Sequence, residues 1–357
     1  MKKLLLASLL ATACGFATAQ SSVTLYGKLD AGLYSINTAT ATKSASGLVD
    51  SSMTSSIWGL RGQEDLGGGT KAVFNLEGDL QTNNGGLNQN GIFRRAAYVG
   101  LSDNKLGEVD LGIKMNPLID AASSILPTSG NSVNINVPLA LGYADFFTKN
   151  AVTYISPKIA GITATVQYGA ANQTNTDGTD LTTGSSSSFN LVYSGIKDLN
   201  IIVAGQERHD GGTSSVSANS NSPEKTTYLG GANYKMGKLS VGAGYVSNRT
   251  NTGTPVGNVD ASMVGVGYQL TPAVTLGANY VKTNDSASLT NLQAHYAFSK
   301  HTEVYTQLGY AQNGATSNPI APIYQTTGNS PGIDINGYSG IANQTQMGIG
   351  AGLIHKF

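Results

Sequence analysis

Thr70-Lys71-Ala72-Val73-Phe74-Asn75-Leu76-Glu77-Gly78-Asp79-Leu80 sets apolar side chains at Ala72, Phe74, Leu76 and Leu80, with Lys71, Asn75, Glu77 and Asp79 between them. Successive side chains of an extended chain point to opposite sides, so this stretch reads as a strand with one apolar and one polar face. The pattern recurs. Val274, Leu276, Ala278 and Tyr280 alternate with Thr275, Gly277 and Asn279, and Val304, Leu308 and Tyr310 with Glu303 and Gln307. Near the C-terminus, Met347, Ile349, Ala351, Leu353 and Phe357 share one face; Gln346, three glycines, Ile354 and Lys356 occupy the other.

The connections decide what these strands build. Short turns fall near 65–69, 103–105, 157–160, 195–198, 236–237, 271–272 and 299–300. Polar segments, most of them long, alternate with the turns near 37–51, 81–91, 116–150, 171–186, 207–224, 249–258, 284–288 and 312–342. Seven short and eight polar connections join sixteen antiparallel strands of about ten residues, long enough to cross a bilayer at a tilt. The fold class expected is therefore all-β, a 16-stranded antiparallel transmembrane β-barrel. In lipid every backbone N–H and C=O must be paired within the protein, so the sheet must close on itself. Sixteen strands enclose a lumen too wide for side chains alone to fill, and water enters it.

Composition agrees. Of 357 residues only 12% are charged, Gly numbers 45 against 10 Pro, and Tyr reaches 17. Lys plus Arg equals Asp plus Glu at 21 each, which lacks the basic excess of a nucleic-acid binder. Residues 1–19 read as a secretory signal, with Lys2 and Lys3, the apolar run Leu4 to Leu10, and Ala17-Thr18-Ala19 before the cut. Cys14 raises a lipoprotein alternative, but Ala11 stands where Leu is usual. Cleavage after Ala19 leaves residues 20–357 without cysteine, hence without disulfides or thiolate metal sites. No later apolar run approaches the length of a membrane helix.

Motifs suggestive of other chemistry fail on spacing. Gly67-Gly68-Gly69-Thr70-Lys71 lacks the Gly-x4-Gly-Lys pattern of a phosphate loop and reads as a turn. Gly348, Gly350 and Gly352 repeat every second residue, on one face of a strand. His209, His295, His301 and His355 show no metal-binding spacing, and no nucleophile and base are singled out. Neither enzyme chemistry nor a cofactor nor a metal is expected.

Four fragments then carry a family resemblance. They are Ser22-Val23-Thr24-Leu25-Tyr26-Gly27, Trp58-Gly59-Leu60-Arg61-Gly62-Gln63-Glu64-Asp65-Leu66-Gly67-Gly68-Gly69, Arg94-Arg95-Ala96-Ala97-Tyr98-Val99-Gly100-Leu101, and the ending His355-Lys356-Phe357. In this order the chain resembles the general porins of Gram-negative bacteria, most closely the beta-proteobacterial group. The resemblance implies a homotrimer in the outer membrane that lets small hydrophilic solutes and ions diffuse through a water-filled channel, with the third long loop folded inward. That loop corresponds to about 115–150, where Asp120-Ala121-Ala122 and Leu126-Pro127 match the inward-folded segment. The resemblance also implies that the terminal aromatic, Phe357, is read by the barrel-assembly machinery.

By the same resemblance Lys28 matches a lumen lysine, Arg95 a wall arginine with Arg94 beside it, and Lys149 lies near a third wall position. It favours Arg95 inward and Tyr98 outward. Ile57, Ile113, Ile354 and Thr128 stand where many members carry charge. The expectation is weak ion selectivity, set by Lys28, Arg95, Lys114 and Lys149 against Asp30, Asp120 and Asp145. The alternatives are a pore preferring a neutral nutrient and a barrel serving as a surface adhesin or anchor. Trp58, Tyr98, Tyr280, Tyr310 and Phe357 are candidates for the aromatic girdles at the membrane interfaces.

Overall fold

The computed structural model describes residues 22–40, 43–87, 91–128, 146–170, 185–209, 224–250, 258–315, 320–323 and 340–357. The expected signal segment 1–19 and residues 129–145 of the expected inward loop lie outside them. Strands β1 Ser22–Thr40, β2 Lys43–Asp50, β3 Ile57–Gly67, β4 Thr70–Asp79, β5 Ala96–Asp103 and β6 Gly107–Met115 come first. A short helix, α1 Pro117–Ser123, follows, then β7 Phe147–Ile155, β8 Ile162–Gly169, β9 Ser186–Tyr193, β10 Leu199–His209 and β11 Glu224–Met236. The chain ends with β12 Leu239–Thr250, β13 Val259–Gln269, β14 Val274–Thr283, β15 Ala287–Ala297, β16 Thr302–Asn313 and β17 Thr345–Lys356.

From β3 onward each strand pairs antiparallel with the next, and β1 pairs with β17 from Lys28↔Lys356 to Ile36↔Gly348 to close the sheet. The two chain ends are tied by reciprocal backbone bonds between Gly27 and Phe357, at 3.1 and 3.0 Å. β2 and β3 both pair with β1, on its upper and lower halves, so they are one interrupted stave. Sixteen staves result. The first polar segment expected at 37–51 is thus mostly strand. Its interruption falls instead at residues 51–56, because that segment turns toward the buried Asp30 and Asp50. The segment expected at 284–288 is likewise tighter than its polarity suggested, with β14 ending at Thr283 and β15 starting at Ala287.

The seven short turns lie where glycine and polar pairs marked them. At the first, Gly67, Gly68 and Gly69 have φ of 84°, 65° and 95°, a run of left-handed backbone that side-chain-bearing residues rarely adopt. This explains the glycine triplet without a phosphate.

The faces divide as alternation required. Leu25, Leu33, Val99, Leu101, Leu111, Val264, Leu276, Leu292, Ile349 and Leu353 are exposed on the outside, with Tyr280, Tyr310 and Phe357 among the exposed aromatics. The inner face carries buried uncharged polar groups, including Gln167, Asn190, Thr227, Asn248, Asn279, Asn291, Gln293, Gln307 and Gln346. One sector of the inner face departs from this. Ile202, Leu229, Val246, Met263, Val281 and Leu289 form a buried cluster with Leu118, Ile119, Ile125 and Leu126. An element packed inside a wet barrel needs apolar area to hold it, so the wall beneath it is apolar.

A second inner cluster, Tyr34, Ile36, Val49, Met53, Tyr305, Ile323 and Ile354, surrounds the 51–56 insert. Asp30 anchors that insert: one carboxylate oxygen accepts the N–H groups of Met53 and Thr54, both at 2.7 Å, and the other accepts the Tyr305 hydroxyl at 2.6 Å. Tyr305→Phe leaves that buried oxygen short of a donor. It is expected to cost about 1–3 kcal/mol, measured by urea unfolding of the reconstituted barrel.

Candidate functional site

The inward segment starts at the end of β6. Asn116 caps α1 by accepting the Leu118 N–H at 2.9 Å, and Pro117 occupies the first turn, where its missing N–H costs nothing. Three lumen asparagines hold the segment. Asn190 donates to the Pro117 carbonyl at 3.0 Å, Asn233 to the Ser124 carbonyl at 2.6 Å, and Asn279 more loosely to the Thr128 carbonyl at 3.5 Å.

Glycines make the room. A Cβ at Gly242 would lie 2.1 Å from the Ile125 carbonyl oxygen, at Gly231 2.5 Å from the Ile125 Cδ1, and at Gly277 2.2 Å from the Thr128 hydroxyl. Residues 116–128 therefore lie against the inner faces of β9 to β14.

Opposite this sector the wall is charged. Glu77 and Asp79 on the polar face of β4 hold Arg95, at 2.7 Å from Nε and 3.0 Å from Nη1, and Arg94 pairs with Asp79. The Phe147 ring lies 4.8 Å from the Arg95 guanidinium and 5.6 Å from that of Arg94. Both arginines precede β5, so the strand pleat does not separate them and both reach Asp79. Glu77 also accepts the Tyr26 hydroxyl at 2.8 Å. Lys114 is held by Asp110 and, at 3.4 Å, by Glu108, with the Tyr98 ring 4.6 Å from its ammonium.

Between these walls lies a cavity of about 520 Å³, lined by Lys28, Arg95, His295, Glu303, Lys356 and Thr128 among others. Lys28 donates to Thr54 of the 51–56 insert. Asp120 is exposed on α1, with Lys114 as its charged neighbour.

Three expected positions are corrected. Asp30 is fully buried, its oxygens claimed by Met53, Thr54 and Tyr305, so it anchors an insert rather than facing solute. Lys149 is exposed but does not line the cavity. A bulge sets Lys149 and Asn150 opposite Ile113, and the adjacent Thr148 takes the buried position opposite Lys114. Tyr98 is inward, because Ala96, Tyr98 and Gly100 share the face of Asp110 while Val99 and Leu101 are exposed outside. Asp145 lies outside the described residues.

Sequence reasoning did not single out Glu77, Asp79, His295, Glu303 or Lys356 for this site. Their signal was present: Glu77, Asp79, Glu303 and Lys356 stand on the polar faces of strongly alternating strands. Ile57 and Ile354, which stand where many family members carry charge, are buried on the inner face.

A family model described as Gram-negative porin matches residues 6–316. The chain belongs to this family. It is an outer-membrane protein and not an enzyme. An outer membrane porin protein of Bordetella pertussis is 33% identical over 192 residues, covering 49% of this chain and 50% of that protein. Outer membrane porin protein 32 of Delftia acidovorans is 36% identical over 197 residues, covering 50% of this chain and 52% of that protein. The chain thus spans about half the length of each of these two relatives. Among solved structures, the anion-selective porin from Comamonas acidovorans superposes with a TM-score of 0.76 at 24% identity, over 94% of this chain and all of that one; this likeness bears on the fold. In this porin, Gly242→Val is expected to push Ile125 off the wall. The measurement is single-channel conductance in planar bilayers, which should change by roughly 1.5-fold or more, since a Cβ at that spacing forces the backbone opposite to move.

Proposed function

We propose that the chain forms a water-filled channel through which small hydrophilic solutes and ions cross the outer membrane by passive diffusion. The observation that carries this reading is the cavity between the inward segment, the 51–56 insert and the wall of β14 to β17, β1 and Arg95, with charged side chains on its surface inside an outwardly apolar barrel. Water held against low-dielectric walls makes the fixed charges there effective on a passing ion. Arg94 and Arg95 are balanced by Glu77 and Asp79, so at the cavity surface Lys28 and Lys356 face Glu303, with Asp30 enclosed behind Tyr305. The charge balance at the passage leans positive, so the modest selectivity favours anions. Lys28 and Arg95, which line the cavity, are proposed to share in this selectivity, with Lys114 and Asp120 contributing from the neighbouring Met115 and Ser123 lining.

A homotrimer is proposed from the family resemblance, with part of the exposed apolar wall covered by neighbouring copies and the rest by lipid. Phe357, half exposed at the closing edge, is proposed as the residue read by the assembly machinery. Its deletion is expected to lower the yield of inserted barrel in cells by several-fold, as followed by heat-modifiable mobility of outer-membrane fractions.

Purified protein in planar bilayers should give stable conductance steps and a reversal potential favouring anions under a salt gradient. Lys356→Glu should lower the anion-to-cation permeability ratio roughly fivefold, the effect of about 1 kcal/mol at the ion's path. Absence of any steps from folded protein would leave a surface anchor as the better reading.

A further inference from the structure

Among the described side chains that line the cavity, His295 alone changes its charge readily near neutral pH, since the ordinary imidazole pKa is about 6.5. Its position is built by three strands. On β15 it follows Gln293 on the inner face, Gln293 Oε1 lying 3.3 Å from its Nε2. Register sets it between Thr275 of β14 and Tyr305 of β16, whose ring centroid is 6.0 Å away. Glu303, one inward position along β16, lies 4.0 Å from its Nδ1. The ring is 17% exposed, and it lines the same cavity as Lys28, Arg95 and Lys356.

We propose that His295 is a specificity-determining residue of this channel, whose protonation sets how strongly the passage prefers anions. The inference rests on the channel reading above. The charged and titratable groups facing His295 are Glu303 and Tyr305 on β16, Lys356 on β17, Lys28 on β1 and Arg95 across the cavity, with Asp30 behind Tyr305. Thr275 on β14 and Thr128 on the inward segment carry no charge. With His295 neutral, Glu303 offsets one of the two lysines at the cavity surface, Arg95 being paired with Glu77 and Asp79. A proton on His295 pairs with Glu303, and the passage then holds a further positive charge. Anions gain and cations lose as pH falls. The sign follows from the imidazole, which is charged only on the acid side of its pKa.

The test is reversal potential under a fixed KCl gradient, in bilayers containing the full-length porin, between about pH 8 and about pH 5. The wild-type anion-to-cation permeability ratio should rise roughly two- to fivefold toward low pH. His295→Gln, which keeps a polar side chain of similar reach, should flatten that rise while preserving the conductance steps. His301→Gln, at an exposed turn, should leave the rise intact. Glu303→Gln should raise the ratio at pH 8 and move the transition to lower pH, because the partner that favours the charged imidazole is gone. An unaltered pH response in His295→Gln channels overturns this inference and leaves the channel reading standing. Folded wild-type protein without conductance overturns both.

Discussion

A backbone inside hydrocarbon has no water to bond, and this constraint organises the molecule. Each strand from β3 to β17 finds its partners in its neighbours, and the last edge is consumed where β1 meets β17 and Gly27 exchanges backbone bonds with Phe357. Closure at sixteen staves fixes a bore wider than side chains fill. The interior must then be furnished by chain that is not wall. Each insert brings its own polar backbone, which must be satisfied in turn.

The two described inserts solve this differently. The 116–128 segment uses both apolar burial and amide donors: Leu118, Ile119, Ile125 and Leu126 press onto an apolar sector, and Asn190 and Asn233 donate to its carbonyls. Glycines at 231, 242 and 277 let backbone approach backbone there. The 51–56 insert instead hangs on carboxylates. Asp30 gathers Met53, Thr54 and Tyr305, while Asp50 accepts Ser56 at 2.8 Å and the Thr82 hydroxyl at 2.7 Å. Enclosed by these donors, Asp30 does not reach the cavity surface, while Lys28, its neighbour two residues earlier, does.

Much of this was legible in the residues. Period-two alternation in Thr70–Leu80 and in the C-terminal strand assigned outside and inside correctly, and the glycine and polar pairs marked all seven short turns. The first polar segment misled, since Ser, Thr and Asn compose a solvated hairpin as readily as a loop. Arg94 and Arg95 illustrate a different limit: alternation demands opposite faces for consecutive residues, but it holds only inside a strand, and β5 begins one residue later. Lys149 was placed by resemblance alone, and the bulge that sets it opposite Ile113 has no signature in Thr148-Lys149-Asn150. Tyr98 was misplaced when resemblance was preferred to the parity of Val99 and Leu101.

What the sequence determined by itself was the barrel: alternation and connection lengths are local properties, and the requirement that membrane backbone be paired converts them into a closed cylinder without further information. What only the tertiary structure decided was which polar residues meet the passage. Asp30 and Lys28 have the same parity on the same strand, yet one is enclosed and the other lines the cavity. His295, Glu303 and Lys356 come from three different strands and share one space. Such partitions depend on where an insert lands against the wall, and that is set by contacts between residues far apart in the chain.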